Sequence, residues 1–201
     1  MQGPARRLMR DVSRHGESQM VRIRCAKDAD RAEIFGVHES AFGKEQIPEI
    51  VDLVSGLLGD KTAMPMFSLV AEIDGRVAGH ILFSAVRFQS SRQCISAQIL
   101  APLAVSKEHQ GEGVGGSLIN EGLKHLAASG VELVFVLGHP DYYPKFGFRP
   151  AGVLGYEAPY AISTEHENAW MVQELKAGVI GSVQGRIQCA ATLDHPRHWQ
   201  E

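Results

Sequence analysis

The sequence has little cysteine, little excess charge and no long apolar run, and each shortage excludes a class of protein. Its cysteines are Cys25, Cys94 and Cys189. They are odd in number and far apart, and no Cys-x-x-Cys pair exists, so neither a disulfide framework nor a zinc ribbon is suggested. No metal site is expected, and a reducing, cytoplasmic setting is the default. No segment approaches the ~20 apolar residues of a membrane helix, so no membrane partner is expected. The formal net charge is -3, which gives no overall basic footprint for nucleic acid. The stretch from Met1 to Gln19 carries Arg6, Arg7, Arg10 and Arg14 but no apolar segment of the secretory type. Asp11 and Glu17 argue against an organelle transit peptide. Residues 1–19 therefore read as a disordered extension, with Met20 as an alternative start.

What is present is an ordinary globular composition over 201 residues, enough for one domain that buries roughly 70% of its unfolded surface. The organised part is expected over 20–170, with C-terminal strands and a tail over 171–201 in the same domain. Val21 to Cys25 alternates as a half-buried strand does. Asp28 or Asp30 can cap the next helix, and Asp30 with Glu33 matches a capping box. Ile47, Ile50, Val51, Val54, Leu57 and Leu58 repeat at helical spacing, with Pro48 in the first turn and Gly59 at the end. Ser68 to Ile73 and Arg76 to Phe88 form a hairpin about Asp74-Gly75. Ser90-Ser91-Arg92 turns the chain into a long strand from Gln93 to Val105. In that strand Ile95, Ala97, Ile99, Ala101, Leu103 and Val105 would share one face. Pro102 interrupts it and predicts a bulge or a freed edge.

A glycine-rich turn at Gln110 to Gly116 leads into a helix ending near Ser129, capped by Gly130. Val114, Leu118, Gly122 and Leu126 form its inner stripe. The apolar run Glu132 to Leu137 is a strand buried on both faces. A short helix at Asp141 to Phe146 follows, then strands near Phe148 to Ala151, Ala169 to Leu175 and Gly178 to Cys189. The order predicts an α+β fold with a mixed, mostly antiparallel central sheet flanked by helices and one βαβ unit near its middle.

Successive glycines before a helix make an anion site, because unpaired N–H groups point outward and the helix dipole favours negative charge. Gln110, Gly113 and Gly115 meet the acyl-coenzyme A pattern Gln/Arg-x-x-Gly-x-Gly/Ala. Gly111, Gly113 and Gly116 also meet the dinucleotide pattern G-x-G-x-x-G. However, Ser106 to Gln110 separate that pattern from its strand, and the acidic Glu132 begins the next strand instead of ending it. A nucleoside-triphosphate loop lacks its Gly-Lys-Ser/Thr ending. A turn that only packs a helix on a sheet is the bland rival, and the loop alone does not choose between them.

The context adds more. Leu103-Ala104-Val105, then Gln110 to Gly115, then a strand, then Tyr143-Pro144-Lys145-Phe146-Gly147-Phe148, resembles the GNAT acetyltransferase superfamily over about Val21 to Phe148. Leu137-Gly138-His139-Pro140 before Tyr142-Tyr143 is similar to its YhbS-like group. The resemblance implies an N-acetyltransferase that moves an acetyl group from acetyl-CoA, its cosubstrate, to a primary amine by direct attack in a ternary complex. It implies a splayed strand pair that binds the coenzyme. Leu103, Ala104 and Val105 would pair with the pantetheine amides like an added strand. The amides around Gln110, Gly111, Glu112, Gly113, Val114, Gly115 and Gly116 would hold the pyrophosphate, with Phe146 on the pantetheine arm and His139 beside it. The Leu103 N–H would face the thioester carbonyl, and Tyr143 would protonate the departing thiolate. Tyr142 is the alternative acid, and a core tyrosine is the bland reading of either.

The incoming amine must lose a proton. Glu39, Glu72, His80 and His139 are candidates by type, with His139 the best placed. His195 and His198 lack a third metal ligand and read as a solvated tail. Cys94 has no Cys–His arrangement that would make it a nucleophile. A non-catalytic module that senses acyl-CoA is the alternative function. The acceptor is not legible, and the protein would be a monomer or homodimer.

Overall fold

A computed structural model of the chain describes residues 21–89 and 94–199. The expectations for the extension 1–19, for Met20 and for the Ser90-Ser91-Arg92 turn lie outside them. The elements in chain order are β1 (Arg22–Cys25), α1 (Arg31–Ala41), α2 (Ile47–Gly59), β2 (Phe67–Ile73), β3 (Arg76–Phe88), β4 (Ala97–Val105), α3 (Val114–Ala128), β5 (Leu133–Leu137), β6 (Arg149–Pro150), β7 (Tyr156–Glu157), β8 (Trp170–Glu174) and β9 (Gly185–Gln188). The sheet runs β1-β2-β3-β4-β5-β8-β6, and β9 joins β3 to β7 off that path. All pairs along the main path are antiparallel except β4 with β5, which α3 connects as a crossover. This is the mixed, mostly antiparallel sheet that the element order predicts.

Both faces are covered, so β3 is buried without interruption from Val77 to Val86. On one face Ile50, Leu53 and Leu57 of α2 pack on Leu82, Ile99 and Phe135. On the other, Val114, Leu118, Ile119 and Leu126 of α3 pack on Ile81, Phe83 and Val134. Burying each such side chain contributes roughly 1.5–3 kcal/mol. Gly122 lets α3 come close: a Cβ there would lie 2.5 Å from the Phe83 ring. The Asp74-Gly75 turn has positive φ at both residues, 50° and 77°, as a two-residue hairpin requires.

Three sequence expectations are corrected. The Asp30–Glu33 capping box does not form. The Asp30 carboxylate instead accepts from the Lys27 N–H at 2.7 Å and from Arg24, while Glu33 reaches across to accept from the Val77 N–H at 2.9 Å. The expected strand over Gly178 to Cys189 shrinks to β9, because Gly178 and Gly181 adopt positive φ and turn the backbone before it. The single face expected along β4 is split. Ala97, Ile99 and Ala101 face the α2 side, while Leu103 and Val105 face the α3 side, because a bulge intervenes.

The layer under α1 contains two fully buried imidazoles. His38 Nε2 lies 2.9 Å from His80 Nδ1, and Ser68 Oγ lies 2.9 Å from His80 Nε2. One neutral ring can donate to the other, whereas two imidazolium rings would set N–H against N–H. Burial lowers His38 to about 4, and burial with the neighbouring His38 lowers His80 to about 3. Both folded values lie below the ordinary 6.5, so on acidification the unfolded chain takes up these protons first. The stabilisation is complete above about pH 6.5 and is lost as pH falls through 4 and 3. Between pH 7 and pH 5 the loss is about 2 kcal/mol per histidine. The urea midpoint should therefore fall over this interval, and a pH-independent midpoint would overturn the neutral pair.

Candidate active site

The site begins where the β4–β5 ladder stops. Ala97 to Leu100 pair in parallel with Leu133 to Val136, and the pairing goes no further. β4 continues to Val105 along β3 alone. The cause is local. Ile81 pairs with Leu103 but Phe83 with Leu100, so Leu82 stands opposite both Ala101 and Pro102. Pro102 follows a cis peptide bond and has no N–H to give to a ladder. Beyond Leu100, among the described residues, no strand pairs with the edge of β4 that faces β5.

β4 leads through a short 3-10 turn, Lys107–His109, to the glycine segment. This turn separates the glycines from the strand and removes the geometry of a dinucleotide fingerprint. Gly111 and Gly113 hold φ of 82° and 84°, and a Cβ on either would meet nothing within 4 Å. They are needed for backbone conformation and leave the space outside α3 open. The Gln110 side-chain amide donates to the Val105 carbonyl at 3.0 Å and ties the loop to the strand end. Glu112 points away, with its carboxylate 2.9 Å from His109 Nδ1. A cleft of about 320 Å3 runs along Val105, Gln110, Gly113 and Gly115 to Tyr142.

Tyr142 also borders a second cavity, of about 480 Å3, at the mouth of the splay. Leu100 to Leu103 line it from β4, Leu137, Gly138 and His139 from the end of β5, and Ile50 and Leu53 from α2. Tyr143 lines it too, 8% exposed, with its ring 5.7 Å from Phe148. The two tyrosines differ in their surroundings. The Tyr142 hydroxyl lies 2.9 Å from where a Gly115 Cβ would be, and burial pushes its phenol above the ordinary value. Tyr143 packs under Gly138, where a Cβ would come within 2.4 Å of its ring. A Cβ on Gly116 would lie 3.3 Å from the Phe146 ring, so that glycine lets the ring come close.

Most of the sequence-predicted residues thus gather around two spaces that share Tyr142 as a wall. Leu103, His139 and Tyr143 border the cavity, and Val105, Gln110, Gly111, Val114 and Gly116 border the cleft. Ala104 turns its side chain under α1 and stands opposite His80 of β3. The candidate bases mostly go elsewhere. Glu39 is exposed on α1, Glu72 accepts from Arg24 at 2.7 Å, and His80 is sealed against His38. His139 stands exposed at the rim. The reading of His198 as a solvated tail residue is corrected. Its side chain is 5% exposed, it lines the cavity, and its Nδ1 lies 3.5 Å from Glu49 Oε1. Trp199 next to it, buried and donating to the Leu193 carbonyl at 2.9 Å, anchors the segment. A tryptophan at the chain end was the available signal. His109, on the cleft, also escaped the sequence reading.

The model of the acetyltransferase (GNAT) domain family matches residues 22–151. The chain belongs to the GNAT acetyltransferase family. It is similar to YjhQ of Escherichia coli (strain K12), an uncharacterised N-acetyltransferase, with 46% identity over 163 residues, 81% of this chain and 88% of that protein. The structure of the GNAT N-acetyltransferase YhbS from Escherichia coli in complex with CoA superposes with a TM-score of 0.78 at 26% identity, covering 90% of this chain and 96% of that one. A GNAT acetyltransferase from Brucella melitensis in complex with acetyl-CoA gives 0.67 at 29% identity, covering 88% and 99%. In this GNAT acetyltransferase the glycine turn, the splay and both tyrosines lie inside the family-matched residues. The cavity wall made by Leu193, His198 and Trp199 lies outside them.

Gly138→Ala tests the seat of Tyr143. The added methyl must displace a ring already held by Phe148 and Tyr142, and overpacking of this kind costs about 1–3 kcal/mol. A urea midpoint equal to that of the parent chain would show that the ring moves freely.

Proposed function

We propose that the chain transfers the acetyl group of acetyl-CoA directly to a primary amine, with both bound at once. The observation that carries this reading is the unpaired edge of β4 beyond Leu100, running from the tyrosine-lined cavity to the open glycine turn. The fit to the coenzyme is good on three counts. An edge with free amides suits a pantetheine arm. Open N–H groups at the start of α3 suit a pyrophosphate. Tyr142 and Phe146 provide an apolar flank between the two. The CoA and acetyl-CoA named for the two structural relatives support the same ligand here. When bound, acetyl-CoA supplies an activated thioester.

The chain's own residues then have separate tasks. The Leu103 N–H is the donor for the developing oxyanion, worth most because it is fixed before reaction. Tyr143 gives its proton to the departing sulfur. Gln110 holds the loop against the strand end, so the phosphate seat and the reacting end stay in register. All three cysteines are free, which supports the cytoplasmic setting.

Two experiments test these assignments. Gly113→Val places a branched side chain at φ 84° and fills the pyrophosphate space. Calorimetry with CoA should show at least a hundredfold weaker binding, while circular dichroism shows a folded protein. Equal affinity would remove this loop as the site. Tyr143→Phe removes one hydroxyl and keeps the ring. General acids are worth about 10²–10⁴ at most, and a thiolate needs less help than an alkoxide. Turnover should fall at least tenfold at unchanged CoA affinity, the pattern of an interaction made in the transition state. Tyr142→Phe should be milder. Parent-like turnover in Tyr143→Phe, with chemistry rate-limiting, would rule out the assignment, and a larger loss in Tyr142→Phe would move it by one residue.

A further inference from the structure

The acceptor side of the cavity has a chemistry of its own. Among the described residues its lining holds no carboxylate and no ammonium or guanidinium group. Its polar side chains are His139, Tyr142, Tyr143 and His198. The rest is apolar, with Phe42 and Leu53 on one wall and Leu193 and Trp199 on another. A second cationic centre on the acceptor would be taken out of water with no counter-charge, at a cost of several kcal/mol. One amine on an apolar body meets no such penalty.

His198 is held at both ring nitrogens. Its Nδ1 faces Glu49 Oε1 at 3.5 Å, and its Nε2 accepts from Arg197 Nε at 3.3 Å. Those partners place the proton on Nδ1 and the lone pair on Nε2. Arg197 is 51% exposed and its contact is long, so an entering N–H can take its place. Trp199 fixes the segment from behind, its ring 5.7 Å from Trp170. His139 has neither the burial nor the carboxylate.

We infer that the acceptor is a small primary amine with an apolar body, seated against Phe42, Leu53 and Trp199, and that His198 takes its proton. This rests on the acetyl-transfer reading above. His198 Nε2 accepts one proton of the ammonium and releases it to solvent. The neutral nitrogen then forms the C–N bond to the acetyl carbon. The C–S bond breaks with its electron pair on sulfur, and the second amine proton balances the thiolate by way of Tyr143. The net products are an amide, a thiol and one proton.

Burial, Arg197 and His195 lower the His198 value while Glu49 raises it, leaving it below 6.5. The ring is therefore neutral and able to accept at pH 7. The profile of kcat/KM should rise with pH to a plateau from below that value.

The test uses the full chain with acetyl-CoA and two sets of amines. Phenethylamine and hexylamine form one set, spermidine and a lysine-containing peptide the other. The apolar set should give at least tenfold higher kcat/KM, and calorimetry with CoA present should show phenethylamine binding. His198→Gln should lower kcat/KM at least a hundredfold and lose the acid limb at unchanged CoA affinity. Glu49→Gln should move that limb to lower pH. Imidazole NMR on the unaltered chain should show His198 titrating below 6.5 and shifting on addition of phenethylamine, whether or not the variants fold. The proposal is overturned if the polycationic set is preferred or if His198→Gln keeps its acid limb. It also falls if that limb is lost in a His139 variant instead, or if phenethylamine neither binds nor reacts while CoA binds normally. Absence of CoA binding would overturn the coenzyme reading itself, and this inference with it.

Discussion

Pro102 has no N–H to offer a ladder, and the extra residue it brings to β4 ends that strand's pairing with β5 at Leu100. The open edge, the cavity at its mouth and the run of backbone toward the glycine turn all follow from this one interruption. Were the strands paired to Val105, the sheet would close and Tyr143 would pack on a continuous surface. The interruption is tolerated because β3 holds the other edge of β4 through Leu103, Ala104 and Val105, and because both faces of β3 are covered. A local defect is thus carried by a rigid sheet, where it can hold a ligand in register.

Around that opening the elements divide their tasks. α3 turns its glycine-rich start toward the cleft and its Leu118 and Leu126 stripe into the core, so one helix both borders the cleft and stabilises the sheet. α2 and the C-terminal segment close the other side. Trp199 is buried against Trp170, and the same burial carries His198 into the cavity. Position 198 is therefore set by the hydrophobic effect acting on its neighbour. In the proposed chemistry the family-matched part supplies the coenzyme side, and the segment beyond it shapes the acceptor side.

The buried His38–His80 pair shows how differently one residue type can be used. Both rings are neutral because water is excluded and each hydrogen-bonds a neutral partner. They stabilise the layer between α1 and the sheet and do not border the cavity. His198 is also desolvated, but it stands between the Glu49 carboxylate and the exposed Arg197 side chain, which in the proposed chemistry yields its place to the incoming amine.

The element order, the sheet class, the glycine turn and the interruption at Pro102 were legible along the chain. Each of these depends on neighbours along the chain: apolar periodicity, a proline without an N–H, glycines with free φ. Tyr142 and Tyr143 were pointed to by the resemblance that Tyr143 to Phe148 carries, and both line the cavity. Tertiary packing brings His198 to the cavity beside His139, pairs Glu72 with Arg24 and His80 with His38, and leaves Gly178 to Cys189 mostly outside the sheet. Those outcomes turn on contacts between residues tens of positions apart, such as Glu49 with His198. Local pattern carries no information about such contacts, since burial and packing choose among side chains that look alike along the chain.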